Sequence, residues 1–199
     1  MISFYDTMVI IDLEVSDVEE ARSNGTHPEM IDLGAVKIGR DLSIIDTYSQ
    51  LIKPKNMAFV TDQTTRITGI TPEMLEDAPT WDKAWECFCE FTDFNRTRLA
   101  AFHALNDHGW LRAAYQKYHL GYPHPGFVFD IASWMYGFCA WYGIKPRSWG
   151  LKNCCKRFGV PYEDEYAHRG LYDAQAAYGI LAEIQRIEYE HGQPSTGSA

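Results

Sequence analysis

An apolar run, Met8-Val9-Ile10-Ile11, stops abruptly at Asp12-Leu13-Glu14, and that junction limits what the chain can build. Consecutive apolar residues of this kind predict a buried strand over roughly 7–13, ending where the charges begin. Residues i and i+2 of an extended strand share a face, so Asp12 and Glu14 can present two carboxylates to one metal site. Taken alone, such a pair is more often a solvated strand end than a cation site.

A second segment, His168-Arg169-Gly170-Leu171-Tyr172-Asp173, puts an imidazole and a carboxylate at the entry to a helix expected over 170–189. Ala174, Ala177, Leu181, Ile184 and Glu188 recur there at helical intervals. An acid in a helix's first turn is favoured by the dipole, which predicts a lowered pKa for Asp173 and an ionised group for a cation. Three acids and a histidine suggest metal-assisted attack by water on a phosphodiester.

These segments resemble the DEDDh exonucleases, the 3′-to-5′ group that includes polymerase proofreading subunits, oligoribonuclease, RNase T and the enzymes that trim histone messenger and interfering RNAs. The first motif of that group, Asp-x-Glu-x-Thr, is met by Asp12-Leu13-Glu14-Val15-Ser16, with Ser in last place. The third motif, His, four residues, Asp, is met in full by His168 and Asp173. For the third acid the group uses a run like His-Asn-Ala-x-Phe-Asp, and this chain has Phe102-His103-Ala104-Leu105-Asn106-Asp107. Ala104 and Asp107 are kept, while His103 stands where Asn is common and Asn106 where an aromatic is common. Met30-Ile31-Asp32-Leu33-Gly34-Ala35-Val36 resembles the second strand of the group, and Arg66-Ile67-Thr68-Gly69-Ile70-Thr71 the loop after the third. The likeness runs in order over about 8–185, and the trimming exonucleases are the nearest subgroup in look.

The resemblance implies an α/β fold of the ribonuclease H-like kind, a mixed sheet of three antiparallel strands followed by parallel strands, flanked by helices. It implies Asp12, Glu14, Asp107 and Asp173 as ligands of two Mg²⁺ or Mn²⁺ ions, and His168 as the base that takes a proton from water. An unperturbed imidazole titrates near ~6.5, so it can accept a proton near neutral pH and activity should rise through that range. The implied substrate is a single-stranded RNA or DNA with a free 3′ end, RNA favoured, cut to nucleoside 5′-monophosphates without an organic cofactor. Val15 and Ser16 are expected near the terminal sugar. Ile70 lies either beneath the last base or in the core, and His103 either touches a phosphate or is a hydrogen-bonded strand-end residue. Two other classes use similar groups: a nucleic-acid-binding module that has lost catalysis, and a metal-dependent phosphatase of small nucleotides. All four acids and the histidine argue against the first, and the order of motifs against the second. A DNA-directed proofreading exonuclease remains a variant of the main reading.

Local patterns agree with that fold. Strands are expected over 30–38 and 44–52, separated by the turn Gly39-Arg40-Asp41, with a polar loop at 15–29. Trp81, Ala84, Trp85, Phe88 and Phe91 follow a helical spacing after Thr80, a potential cap; Arg98–Phe102 reads as a short buried strand. A helix is expected over 107–119, a brief strand at Phe127-Val128-Phe129, and helices thereafter. The length of 199 residues and 46% apolar content suit one domain over 1–190, with a disordered tail at 191–199 rich in Pro, Ser and Gly.

The formal charge of −9 argues against coating nucleic acid by bulk electrostatics; bound divalent ions would offset part of it, and binding should rely on metal-to-phosphate contact and stacking. Trp134, Tyr136, Phe138, Trp141, Tyr142 and Trp149 could stack bases, although rings at helical spacing are more often core. No apolar stretch is long enough for a membrane helix and no secretory leader is legible, so a cytoplasmic location is expected. Cys87, Cys89, Cys139, Cys154 and Cys155 include no Cys-x-x-Cys pair, which disfavours zinc and a disulfide framework.

Overall fold

The structure, a computed structural model, describes residues 7–94, 96–120, 128–145 and 148–191. The segment Met8–Ile11 forms the middle of a long central strand, β1 (Thr7–Val15), because its side chains are apolar on both faces and both faces are covered. It pairs antiparallel with β2 (Met30–Gly39), which pairs antiparallel with β3 (Ile44–Leu51). On its other side β1 runs parallel to β4 (Thr97–Ala101), and β4 to the short β5 (Phe129–Asp130), giving the order β3-β2-β1-β4-β5. This is the mixed sheet of a ribonuclease H-like fold.

Strand alternation divides the core in two. Met8 and Ile10 of β1, with Val36 and Ile38 of β2, face α6 (Ile131–Trp141), α7 (Leu151–Phe158) and α8 (Gly170–His191). Val9, Ile11 and Leu13, with Leu33 and Ala35, face α4 (Trp81–Thr92) and α5 (Ala104–Tyr118). Asp12 and Glu14 continue the first set, and the register sets Asp12 opposite Gly34 and Glu14 opposite Asp32. All four therefore lie on the α8 side of the sheet.

The expected strands and the long last helix are present, with some differences. The segment 15–29 holds a helix, α1 (Val18–Ser23), because Asp17 accepts hydrogen bonds from the backbone N–H groups of Glu19 and Glu20 and starts it. Arg66–Thr68 is not loop but the end of α2 (Asp62–Thr68), closed by Gly69 at φ 69°; α3 (Pro72–Leu75) follows. Thr80 stands at the N-cap of α4 without capping it, since its hydroxyl donates to Asp82 at 2.6 Å instead. The last strand is Phe129–Asp130, one step beyond its expected position. Phe127 and the tail after residue 191 lie outside the described residues. No helix among the described residues is long and apolar enough to cross a membrane.

The N-terminus of α8 rests directly on the sheet. A side chain at Gly34 would collide with the backbone of Gly170 and Leu171; one at Gly170 would come within 2.6 Å of the Gly34 nitrogen and 2.9 Å of the Asp12 carbonyl oxygen. Gly34→Ala must therefore lift α8 off β1 and β2. Urea unfolding should show a loss of about 1–3 kcal/mol or more, against a gain of roughly 0.5–1 kcal/mol for Gly109→Ala inside α5, where a Cβ meets nothing and alanine favours the helix.

Candidate active site

The two halves of the site meet through that glycine contact. Asp12 and Glu14 stand at the end of β1, and the α8 N-terminus delivers His168 and Asp173 beside them. Glu14, His168 and Asp173 can each turn one ligand atom to within 4.8 Å of the others. His168 Nδ1 lies 3.9 Å from Glu14 Oε1, with the imidazole half open to solvent. The residue occupies the left-handed region at φ 59°, and its backbone N–H donates to Asp173 Oδ2 at 3.1 Å. Tyr162 Oη donates to Asp173 Oδ1 at 2.9 Å, so both oxygens of Asp173 are oriented.

Asp107 reaches the site from the first turn of α5. It is buried, and its Oδ1 accepts the Leu13 backbone N–H at 3.1 Å, between the two acids of β1. The start of α5 is held by Asp130, whose Oδ2 accepts the Ala104 N–H at 2.8 Å while its Oδ1 accepts from Ser133. A fifth acid joins them. Asp32 on β2 is 1% exposed, accepts from Gly170 N–H at 3.1 Å and Arg169 Nε at 3.4 Å, and leaves its Oδ1 without a partner among the described residues. The resemblance of its segment to a family strand did not single it out; a lone acid between Ile31 and Leu33 was the available signal.

The electrostatics follow from packing anions out of water. Burial, then Asp107, Glu14, Asp173 and Asp32, pushes the Asp12 carboxyl far above the usual carboxylate range. Burial, followed by Asp173, Asp32 and Asp107, raises Glu14 to about 8, with Arg169 opposing. Asp107 is raised to about 7, chiefly by burial. Asp173 is also raised, contrary to the helix-dipole expectation: burial outweighs the lowering by the Tyr162 hydroxyl, the His168 N–H and the His168 ring. Buried carboxylates that raise one another fit a hard divalent cation, which prefers oxygen donors and offsets their charge.

The residues expected near substrate are placed differently from one another. Val15 is half-buried at the end of β1. Ser16 is buried: its N–H donates to the Glu29 carbonyl at 2.7 Å and its Oγ accepts the Glu29 N–H at 2.9 Å, tying β1 to the start of β2. Ile70 is fully buried with Ile31, Val60 and Leu75, the core alternative of its two readings. His103 is exposed at the N-cap of α5, makes no capping bond, and packs its ring 4.7 Å from Phe102. Of the aromatic segment, Phe138 is core and Tyr136 packs edge-on to Trp149 at 4.1 Å, while Trp141 is 70% exposed.

The family model described as "Exonuclease" (RNase T) matches residues 9–181, and the chain belongs to that family. A putative bifunctional exonuclease/endonuclease protein of Mycobacterium tuberculosis is 32% identical over 60% of this chain and 18% of its own length. The PolC-type DNA polymerase III of Thermotoga petrophila is 31% identical over 88% of this chain and 12% of its own. The chain thus spans less than a fifth of these relatives. The DNA polymerase III subunit epsilon of Aquifex aeolicus is 27% identical over 94% of this chain and 84% of its own. Among solved structures, the nuclease domain of 3′hExo, a DEDDh family member bound to rAMP, superposes with TM-score 0.74 at 20% identity, covering 96% of each chain. E. coli exonuclease I with a dT13 oligonucleotide gives 0.73 at 17%, covering 94% of this chain and 43% of that one. These likenesses establish the shared fold.

The raised carboxyls make stability depend on pH. In the folded chain Glu14 and Asp107 hold protons up to about 8 and about 7, against ordinary values of 4.5 and 3.8. Between those limits the folded state binds more protons than the unfolded one, so stability falls as pH rises. In EDTA the melting temperature should be lower at pH 8 than at pH 5, and Mg²⁺ should flatten the dependence. Glu14→Gln should raise the EDTA value at pH 8 by roughly 2–4 °C, the shift expected for ~1 kcal/mol. A melting temperature that rises with pH in EDTA would contradict the assignment.

Proposed function

We propose that this chain is a divalent-metal-dependent 3′-to-5′ exonuclease that shortens single-stranded nucleic acid, RNA in preference to DNA, and releases nucleoside 5′-monophosphates. The observation that carries the reading is the convergence of Asp12, Glu14, Asp107 and Asp173, from three separated segments, beside His168. Those four acids would hold Mg²⁺ or Mn²⁺, two ions in this reading. Bound there, a pair of ions supplies polarisation of the phosphoryl oxygens and charge stabilisation of both the entering and the leaving oxygen.

The chain's own residues do the rest. His168 accepts the proton of the attacking water from its open position; its tether to Asp173 fixes where the ring stands relative to the acids. Tyr162 and the His168 N–H orient Asp173, and the Leu13 N–H orients Asp107, so the oxygen donors need little rearrangement. Val15 and His103 are open enough to meet the 3′-terminal nucleotide. The likeness to the 3′hExo nuclease domain bound to rAMP supports RNA, while the polymerase III relatives support a DNA-directed variant.

The test uses end-labelled single-stranded RNA, DNA of the same sequence, and duplex, each with Mg²⁺ or Mn²⁺. A ladder that shortens from the 3′ end is expected, faster on RNA. Release of phosphate from mononucleotides without shortening would replace the reading by a phosphatase, and binding without cleavage by a binding module. His168→Ala should keep metal and strand binding and lose at least ~100-fold in turnover, within the range of general-base contributions; wild-type rate would remove His168 from its role.

A further inference from the structure

Two cavities, of about 580 and 350 Å³, lie side by side along the outer face of α5. They share Thr26, His27, Pro28, Trp110, Ala113 and Gln116, so they are two ends of one groove between α5 on one side and α1 with the segment 26–30 on the other. One end opens at Val18, Leu105 and Asn106, the last directly preceding Asp107; the other reaches Trp81, Lys117 and Tyr118. Over the helix from Leu105 to Lys117 the groove runs ~18 Å. We propose that this groove carries the single strand upstream of its 3′ end, with Trp110 as the surface on which a base stacks and Arg22 and Arg112 beside the phosphates. The inference rests on the nuclease reading of the site and deepens it by assigning the path of the substrate.

Three independent features point to that occupant. The first is continuity: Asp107 binds the Leu13 N–H, so the start of α5 abuts the end of β1, and a strand whose terminus lies on the acids leaves past Asn106 into the groove. Charge is the second. In a chain with a formal charge of −9, this groove is walled by Arg22, Arg112 and Lys117. The one carboxylate lining it among the described residues, Glu29, is already engaged by Lys117 at 2.9 Å and by the N–H groups of Lys55 and Asn56. The third is the ring. Trp110 lies at the junction of the two cavities and is half-buried, held by packing on one side and open on the other, as a stacking platform must be. Trp81 is fully buried, and the Tyr118 ring is covered by the Lys55 ammonium at 4.1 Å, so neither offers a comparable face.

Steady-state kinetics on two substrates test the assignment: a long single-stranded oligonucleotide, and thymidine 5′-(p-nitrophenyl phosphate), which reaches the acids without entering the groove. Trp110→Ala should raise KM for the oligonucleotide on the order of 10-fold, with kcat little changed and the small ester cleaved as by the wild type. Trp110→Phe should recover most of the affinity, and Arg22→Ala with Arg112→Ala should raise the oligonucleotide KM and lessen its dependence on salt. Binding of the labelled strand, read by fluorescence anisotropy with turnover removed by Asp173→Asn, should weaken in parallel. If the Trp110 and arginine variants bind and cleave the oligonucleotide like the wild type, the groove is not the path. An equal loss on both substrates also overturns it. Should the wild type cleave neither substrate, the nuclease reading falls, and the anisotropy arm still decides whether the groove holds a strand.

Discussion

The structure depends on the contact between Gly34 on β2 and Gly170 at the start of α8. No side chain fits between them, so the helix end comes down on the sheet at backbone distance. Asp32 completes the joint by accepting hydrogen bonds from Gly170 and Arg169. Through this joint the end of β1 and the His168–Asp173 segment become neighbours. A few tenths of an ångström at this point would be felt directly at the oxygen donors, because Asp12 and Gly34 are register partners.

The same close packing creates the electrostatic problem that makes the site chemical. Five carboxyls gather where water is scarce: burial and repulsion from the neighbouring acids raise Asp12 and Glu14, while Asp107, Asp173 and Asp32 are raised chiefly by burial, Asp32 against the relief of Gly170 and Arg169. Protons or cations must supply the missing positive charge. A fold that spends stability on such a cluster gains a place where, on the proposed nuclease reading, charge on a phosphodiester is offset during reaction. The hydrogen bonds from Leu13, Tyr162 and His168 orient the oxygens of Asp107 and Asp173 without removing the charge that the cluster carries when ionised.

The central strand, the antiparallel opening and the last helix were legible because each is written in local pattern: an apolar run, a short turn, a helical interval. Asp12 and Glu14 were legible for the same reason, since strand geometry alone puts them on one face. Asp107 and Asp173 needed the family resemblance, because their proximity to the strand is a long-range fact. Asp32 was passed over as a strand residue. Its hydrogen-bond partners Arg169 and Gly170 are 137 and 138 positions away, and no window along the chain contains them. Ser16, expected near the terminal sugar, is buried and tied to Glu29, again a partner that its immediate neighbours along the chain do not reveal.

The case of Asp173 separates the two sources of information most clearly. Its place in the first turn of a helix follows from the order of residues, and so does the favourable dipole that argues for a low pKa. The raised value comes from burial against the sheet, which outweighs the lowering by a tyrosine on a neighbouring segment. The sequence by itself determined which strands and helices form and which residues carry ionisable groups, since these depend on neighbours a few positions apart. Only the tertiary structure decided which of those groups share a site, how far water is excluded from it and which aromatic ring stays open. Each of those is a property of distances in space between residues remote along the chain.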